Sequence, residues 1–467
     1  MPAILNLPDP MGVVRPHLGE LVARLEARSP YASIGLSSIH GMSISIDHQE
    51  ERVKEETPSA GAVLRAFDGR TIEERSIGSF ALADLQTEAA TFAGSLPGSD
   101  GRRLEVPCGI SGRQDFALSM AVPPESMSLA DKIDRCRVLQ QRLRKVDPRV
   151  QNARIAYYER VEHSLFRSRE ADLAQTIHRL RLGVVVFVRD GDEVRYNWRT
   201  KSATAGWEAL EFSGEEIDEV VEVALRLLKA GRIEPGEYEV VTTPGVSGTI
   251  CHESFGHGVE TDMFVKERAR AASYIDQVVA SPLVDILDDP TYPEAFGGYF
   301  FDDEGYLASP TRIVEGGFFR GGITDLGSAT SLEIPRTANG RRQDYSRKSY
   351  ARMSNTYFGP GSATLQELVA DAGDGIYVQN WNSGMEDPQG WGIQVICLIG
   401  QEIRDGRLTD TYFTPVSISG YVPDVLQTVR GIGNRVSMDG GWCGKGSKEM
   451  IPTSAGGPYM LLRAHLG

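Results

Sequence analysis

The chain changes texture at Glu234-Pro235-Gly236, and this break constrains the fold more than any other feature. Immediately before it lies the clearest helical pattern, over residues 214–230. Ser213 and Glu216 frame its start as a capping box, and Ile217, Val220, Val221, Ala224, Leu225 and Leu228 make one apolar stripe. Gly231 stands where a left-handed cap would close it. Beyond the break glycines are frequent and the apolar runs are short. Proline and glycine in succession interrupt regular structure, so the junction predicts two domains, residues 1–235 and 236–467.

The first domain reads as mixed. Leu18, Leu21, Val22 and Leu25 recur at helical spacing, and strand-like segments follow at 42–47 and 62–67, with a turn at Asp68-Gly69. Ser128 precedes a second helical pattern through Ile133, Cys136, Leu139 and Leu143, which Asp147-Pro148 ends. Residues 177–188 and 193–198 read as strands joined through Asp190-Gly191. The second domain predicts short strands and two helices. One lies over 251–259 and the other over 365–370, the latter capped by Thr364 and Glu367. The fold class is α+β: a mixed N-terminal α/β domain followed by a β-rich C-terminal domain that carries the motif described next.

That motif lies in Ser247-Gly-Thr-Ile-Cys-His-Glu-Ser-Phe-Gly-His-Gly-Val-Glu-Thr-Asp262 and contains His252, Glu253 and His257, an HExxxH pattern. Two neutral imidazoles can bind zinc, and a carboxylate beside the first can take a proton from a water that the metal activates. The spacing is one residue longer than in HExxH peptidases. A regular helix turns about 100° per residue, so five steps leave the second ring about 140° from the first. Both rings can meet one ion only where the helix is irregular, through a π-bulge or a loosening at Gly256. The bland alternative is two histidines bonded to backbone carbonyls. Glu260 and Asp262 follow closely enough to be rival third ligands or partners of the ring nitrogens.

HESFGHGVETD resembles the signature of the TldD/PmbA metalloprotease family, in its metal-bearing TldD-like branch. Asp302-Asp303-Glu304-Gly305 resembles the family's acidic turn. Thr337-Ala-Asn-Gly-Arg-Arg342, Arg352-Met-Ser-Asn-Thr-Tyr357 and Gly359-Pro-Gly361 resemble a long family block. Met438, Trp442-Cys-Gly-Lys-Gly446 and Gly456-Gly-Pro458 resemble the C-terminal motif. The resemblance covers residues 235–467 and is faint before them. It implies that His252, His257 and Cys443 are ligands of one Zn2+ per chain, with Glu253 as general base. It also implies cleavage of short or unfolded polypeptides, and pairing as a homodimer or as a heterodimer with a PmbA/TldE-like subunit. A non-catalytic binding or scaffold subunit with a structural metal is the rival reading. Asn355, Tyr357 and Arg352 are candidate substrate contacts. The basic cluster Arg341-Arg342 and Arg347-Lys348 suits either a solvated loop or a peptide carboxylate.

Charge and cysteine usage bound the setting. A net charge of -15 repels phosphate, so a nucleic-acid partner is not expected. Five scattered cysteines do not form a disulfide framework and suit reduced thiols in a cytoplasm. The first residues lack a basic stretch followed by an apolar run, and no apolar stretch approaches the ~18 residues of a membrane span. The expected location is cytoplasmic, with no membrane partner.

Overall fold

A computed structural model describes residues 7–98, 101, 103–446 and 449–467; the first six residues, read above for a leader, lie outside them. The strands of one eight-stranded sheet all fall between Tyr31 and Ala203. Its long central strands Tyr31–Ile46, Val150–Arg167 and Ala171–Asp190 pair antiparallel in that order. One face buries two separate apolar clusters. Helices Leu18–Glu26 and Leu82–Ser95 cover Ile34, Leu36 and Leu64, while Leu129–Lys145 and Gly214–Leu227 cover Ile44, Tyr157 and Leu182. The opposite face meets the second half of the chain: Tyr158 lies edge-on to Trp442 at 4.5 Å, and Gln175 bonds the carbonyl of Phe301 at 3.0 Å.

The second half builds two larger sheets around one helix. A six-stranded sheet ends in Asn355–Phe358, Glu449–Gly457 and, at its edge, Ser437–Lys445. A seven-stranded sheet contains Gly236–Thr242, Met460–Leu466 and the hairpin Gly375–Asp387 with Gly392–Arg404. The helix Pro244–Phe255 packs against strands of both. It is buried nearly all round, which suits a helix enclosed by protein rather than one with a wet face. Proline in its first turn loses no needed donor. Close approach explains its glycines: a Cβ on Gly248 would sit 2.6 Å from the Gly456 nitrogen, and one on Gly245 would sit 2.6 Å from Asp439 Oδ2.

The α+β class and the β-rich second half agree with the sequence. Capping boxes form at Ser128, Ser213 and Thr364. Several details differ. Gly231 is not left-handed; its N–H instead bonds the Tyr412 carbonyl at 2.8 Å, so a strand neighbour replaces the cap. The helix expected over 251–259 starts at Pro244 and stops at Phe255. Three short helices, Thr261–Val265, Leu326–Leu332 and Val422–Gln427, were not expected, because stretches of five to seven residues are too short for a periodic stripe.

Candidate metal centre

The enclosed helix delivers His252 and Glu253 on its last turn. The chain then breaks at Gly256 (φ -90°, ψ -77°), and His257 opens a 3-10 turn, His257–Val259. This is the loosening that the extra residue requires. The Gly256 N–H still bonds the His252 carbonyl at 2.9 Å. A Cβ at Gly256 would meet that carbonyl oxygen at 2.4 Å and Met353 Sδ at 2.9 Å, so the break leaves room only for hydrogen. The two rings end 5.2 Å apart, centroid to centroid, and nearly perpendicular at 88°.

Cys443 arrives from the edge strand Ser437–Lys445, paired to Ile451. Its Sγ lies 2.9 Å from His257 Nε2. One donor atom each from His252, His257 and Cys443 lies within 4.8 Å of the others. Tetrahedral zinc bonds of roughly 2.0–2.3 Å place donors about 3.5 Å apart, so two imidazoles and a thiol gathered this closely suit that ion. A further sign is His252 Nδ1, buried with no hydrogen-bond partner among the described residues. Burial disfavours charge on both rings, yet the Cys443 sulfur raises His252, and Cys443 with Glu260 raises His257 well above the ordinary range. Burial likewise opposes a thiolate at Cys443, but the two rings pull its pKa down to about 5.

Glu260 faces the other nitrogen of His257, with Oε2 3.6 Å from Nδ1. Only 2% exposed, it is held by Arg352 Nε at 2.9 Å and Lys445 Nζ at 3.0 Å. Asp262 takes Lys445 at 2.5 Å and Lys266 at 3.0 Å. Glu260 therefore lies behind the His257 ring, while Asp262 is held by the two lysines.

Two of the candidate substrate contacts are buried. Arg352, 1% exposed, spends its guanidinium on Glu260 and on the Cys443 carbonyl at 2.9 Å. Asn355 is fully buried; its Oδ1 accepts from the Gly297 N–H and its Nδ2 donates to the Asp289 carbonyl. Both side chains are buried and bonded within the fold. Tyr357 packs edge-on to Tyr292 at 5.2 Å. The basic cluster is not a solvated loop at its first two positions: Arg341 bonds the Met353 carbonyl and covers the Tyr299 ring, and Arg342 pairs with Glu74 at 2.9 Å.

Glu253 is partly buried, and burial pushes its carboxyl up to about 7 against the pull of His252; a hydrogen bond with the Glu386 carboxyl adds to the rise. Sequence reasoning missed Glu386, which reaches the site from the hairpin strand Gly375–Asp387. It also missed Lys445, although two residues beyond Cys443 on a strand is the same face and so was readable.

A family model described as the PmbA/TldA metallopeptidase C-terminal domain matches residues 235–465, and that of the central domain matches 122–232. The chain belongs to the PmbA/TldD family. Within the family, a Methanothermobacter thermautotrophicus protein named metalloprotease is 28% identical over 96% of this chain and 97% of its own length. An Archaeoglobus fulgidus metalloprotease is 30% identical over 77% of this chain and 82% of its own. A Saccharolobus solfataricus protein named zinc metalloprotease TldD homolog is 25% identical over 71% and 75%. TldE from Thermococcus kodakarensis shares the fold, with a TM-score of 0.74 at 15% identity over 96% of this chain and 99% of its own.

Proposed function

We propose that this PmbA/TldD-family chain is a zinc-dependent peptidase of the HExxxH type, in which His252, His257 and Cys443 hold one zinc ion per chain and Glu253 is the general base. Zinc, when bound, supplies Lewis acidity toward the scissile carbonyl and the attacking water. Glu253 takes the proton of that water and passes it to the leaving amine. The observation that carries the reading is the meeting of the three donor atoms within 4.8 Å, with Glu253 next to His252 in sequence and partly buried.

The substrates on this reading are short or unfolded polypeptides. Cys443 lies on the outermost strand of its sheet. The Gly440 N–H is taken by Ser202, and a Cβ at Gly441 would meet nothing within 4 Å, so open space lies over the face of the strand that Gly441 shares with Cys443. An extended peptide can add there through main-chain bonds, with little sequence preference. A peptide-bound structure without strand pairing would remove this part. The proposed setting is the cytoplasm, with a second copy or a PmbA/TldE-like chain as partner, and the proposed domains are residues 1–235 and 236–467.

A structural metal in a non-catalytic scaffold subunit is the competing reading. Such a site needs a fourth protein ligand. Glu260 does not supply it, because it sits against Nδ1 of His257 and is already held by two cations. The test is zinc content and casein digestion of wild type beside Cys443→Ala, with and without chelator. Bound zinc and chelator-sensitive digestion, both lost in Cys443→Ala, support the peptidase. Zinc retained without any digestion supports the scaffold.

A further inference from the structure

Glu386 is brought to the site by sheet geometry. Gly384 approaches the helix so closely that a Cβ there would lie 2.5 Å from Glu253 Oε1. Residues two apart on a strand share a face, so Glu386 turns toward the same space. One donor atom each from Glu253, His257 and Glu386 lies within 4.8 Å of the others. The carboxyl is only partly buried, so a substrate can reach it.

The charges around this carboxylate do not balance. Glu260, behind His257, and Asp262, nearby in sequence, are met by Arg352, Lys445 and Lys266. In front, neither Glu253 nor Glu386 has an ion-pair partner among the described residues. Glu386 bonds the Glu253 carboxyl and meets no Lys or Arg among the described residues. An ammonium supplies a positive charge compactly, with three donors.

We infer that Glu386 is a specificity-determining residue that accepts a substrate ammonium beside the scissile bond, and this rests on the peptidase reading above. The ammonium is either the peptide's own N-terminus or a lysine side chain. Three otherwise identical peptides separate these sources: one with a free N-terminus and no lysine, one acetylated without lysine, and one acetylated with a lysine near the cleaved bond. Wild type should favour one or both of the ammonium-bearing peptides over the acetylated lysine-free peptide by about tenfold in kcat/KM, mostly through KM. In Glu386→Gln that ratio should collapse toward one, whereas Glu386→Asp, which keeps the charge, should retain part of it. Calorimetric binding of the same peptides to a Glu253→Gln chain, with and without Glu386→Gln, should show the same loss of discrimination without turnover. Wild type treating the three peptides alike, or Glu386→Gln weakening all three equally, overturns the inference. A wild type that cleaves none of them overturns the peptidase reading, and this inference with it.

Discussion

Arg352 Nη2 donates to the backbone carbonyl of Cys443 at 2.9 Å, although the two residues are separated by 91 positions in the chain. The same guanidinium holds Glu260, which faces Nδ1 of His257. One buried side chain thus links the strand that carries Cys443 to the turn that carries His257. It bonds neither Cys443 Sγ nor a ring nitrogen of His257, but it ties together the two segments that carry them.

Removing that link should loosen the metal site. Arg352→Met leaves the Glu260 carboxylate with Lys445 alone and frees the Cys443 strand. Zinc affinity should fall about 10- to 100-fold, as on loss of a group that orients a ligand. Stability should fall by about 3 kcal/mol, because half of a buried ion pair is stranded. Competition with a calibrated chelator and a urea melt measure the two effects. Unchanged zinc affinity would show that Arg352 does not organise the site.

Glu253→Gln should retain zinc and lose peptide cleavage by roughly a hundred- to ten-thousand-fold, the range spanned by general acid–base catalysis. Metal analysis and a short-peptide assay on one preparation give both numbers. Cleavage at the wild-type rate would remove Glu253 from the role of base.

The Gly256 break is testable by a single methyl group. Gly256→Ala puts a Cβ against the His252 carbonyl and Met353 Sδ. Overpacking of this kind costs about 1–3 kcal/mol, and relief requires the His257 turn to shift. The expected result is a lower melting temperature together with weaker zinc binding. A variant with a lower melting temperature but wild-type zinc binding would mean that the turn absorbs the clash without moving His257.

Acid should destabilise the N-terminal sheet through His163. This ring is 8% exposed, stacks 5.7 Å from His40 and bonds Thr176 through Nδ1 at 3.0 Å. Burial, followed by His40 and His178, pulls its pKa down from 6.5 to about 4. Between those values the unfolded chain takes up a proton that the folded chain refuses. Stability from this group is therefore full above about pH 6.5 and is lost as pH falls toward 4. Denaturant melts at pH 7 and pH 5 should show a larger loss for wild type than for His163→Asn. An equal loss in both chains would clear His163 of any part in acid sensitivity.

Local order was readable wherever neighbours in sequence make the contact. Ser213 with Glu216 and Thr364 with Glu367 cap their helices as their spacing implied, because a capping box closes within four residues. The HExxxH spacing likewise required an irregular helix, and the break falls at Gly256. Cys251, about 100° around the helix from His252, is fully buried. Less was readable where a partner comes from elsewhere in the chain. Gly231 looked like a cap and is tied to Tyr412 instead. Arg352 and Asn355 looked available to a substrate, but burial commits them to Glu260, Cys443, Asp289 and Gly297. No local signal marked Glu386, since its place depends on how a hairpin lies across a helix.

The sequence by itself determined the chemistry on offer: two imidazoles, a carboxylate between them, a distant thiol, and glycines at the points of closest approach. Side-chain identity and short spacing suffice for that, because they are properties of the covalent chain. Only the tertiary structure decided which of those groups meet and which are already spent. Burial and long-range partners are properties of the folded chain, so the residues that hold Arg352, Asn355 and Glu260 in place come from distant parts of the sequence.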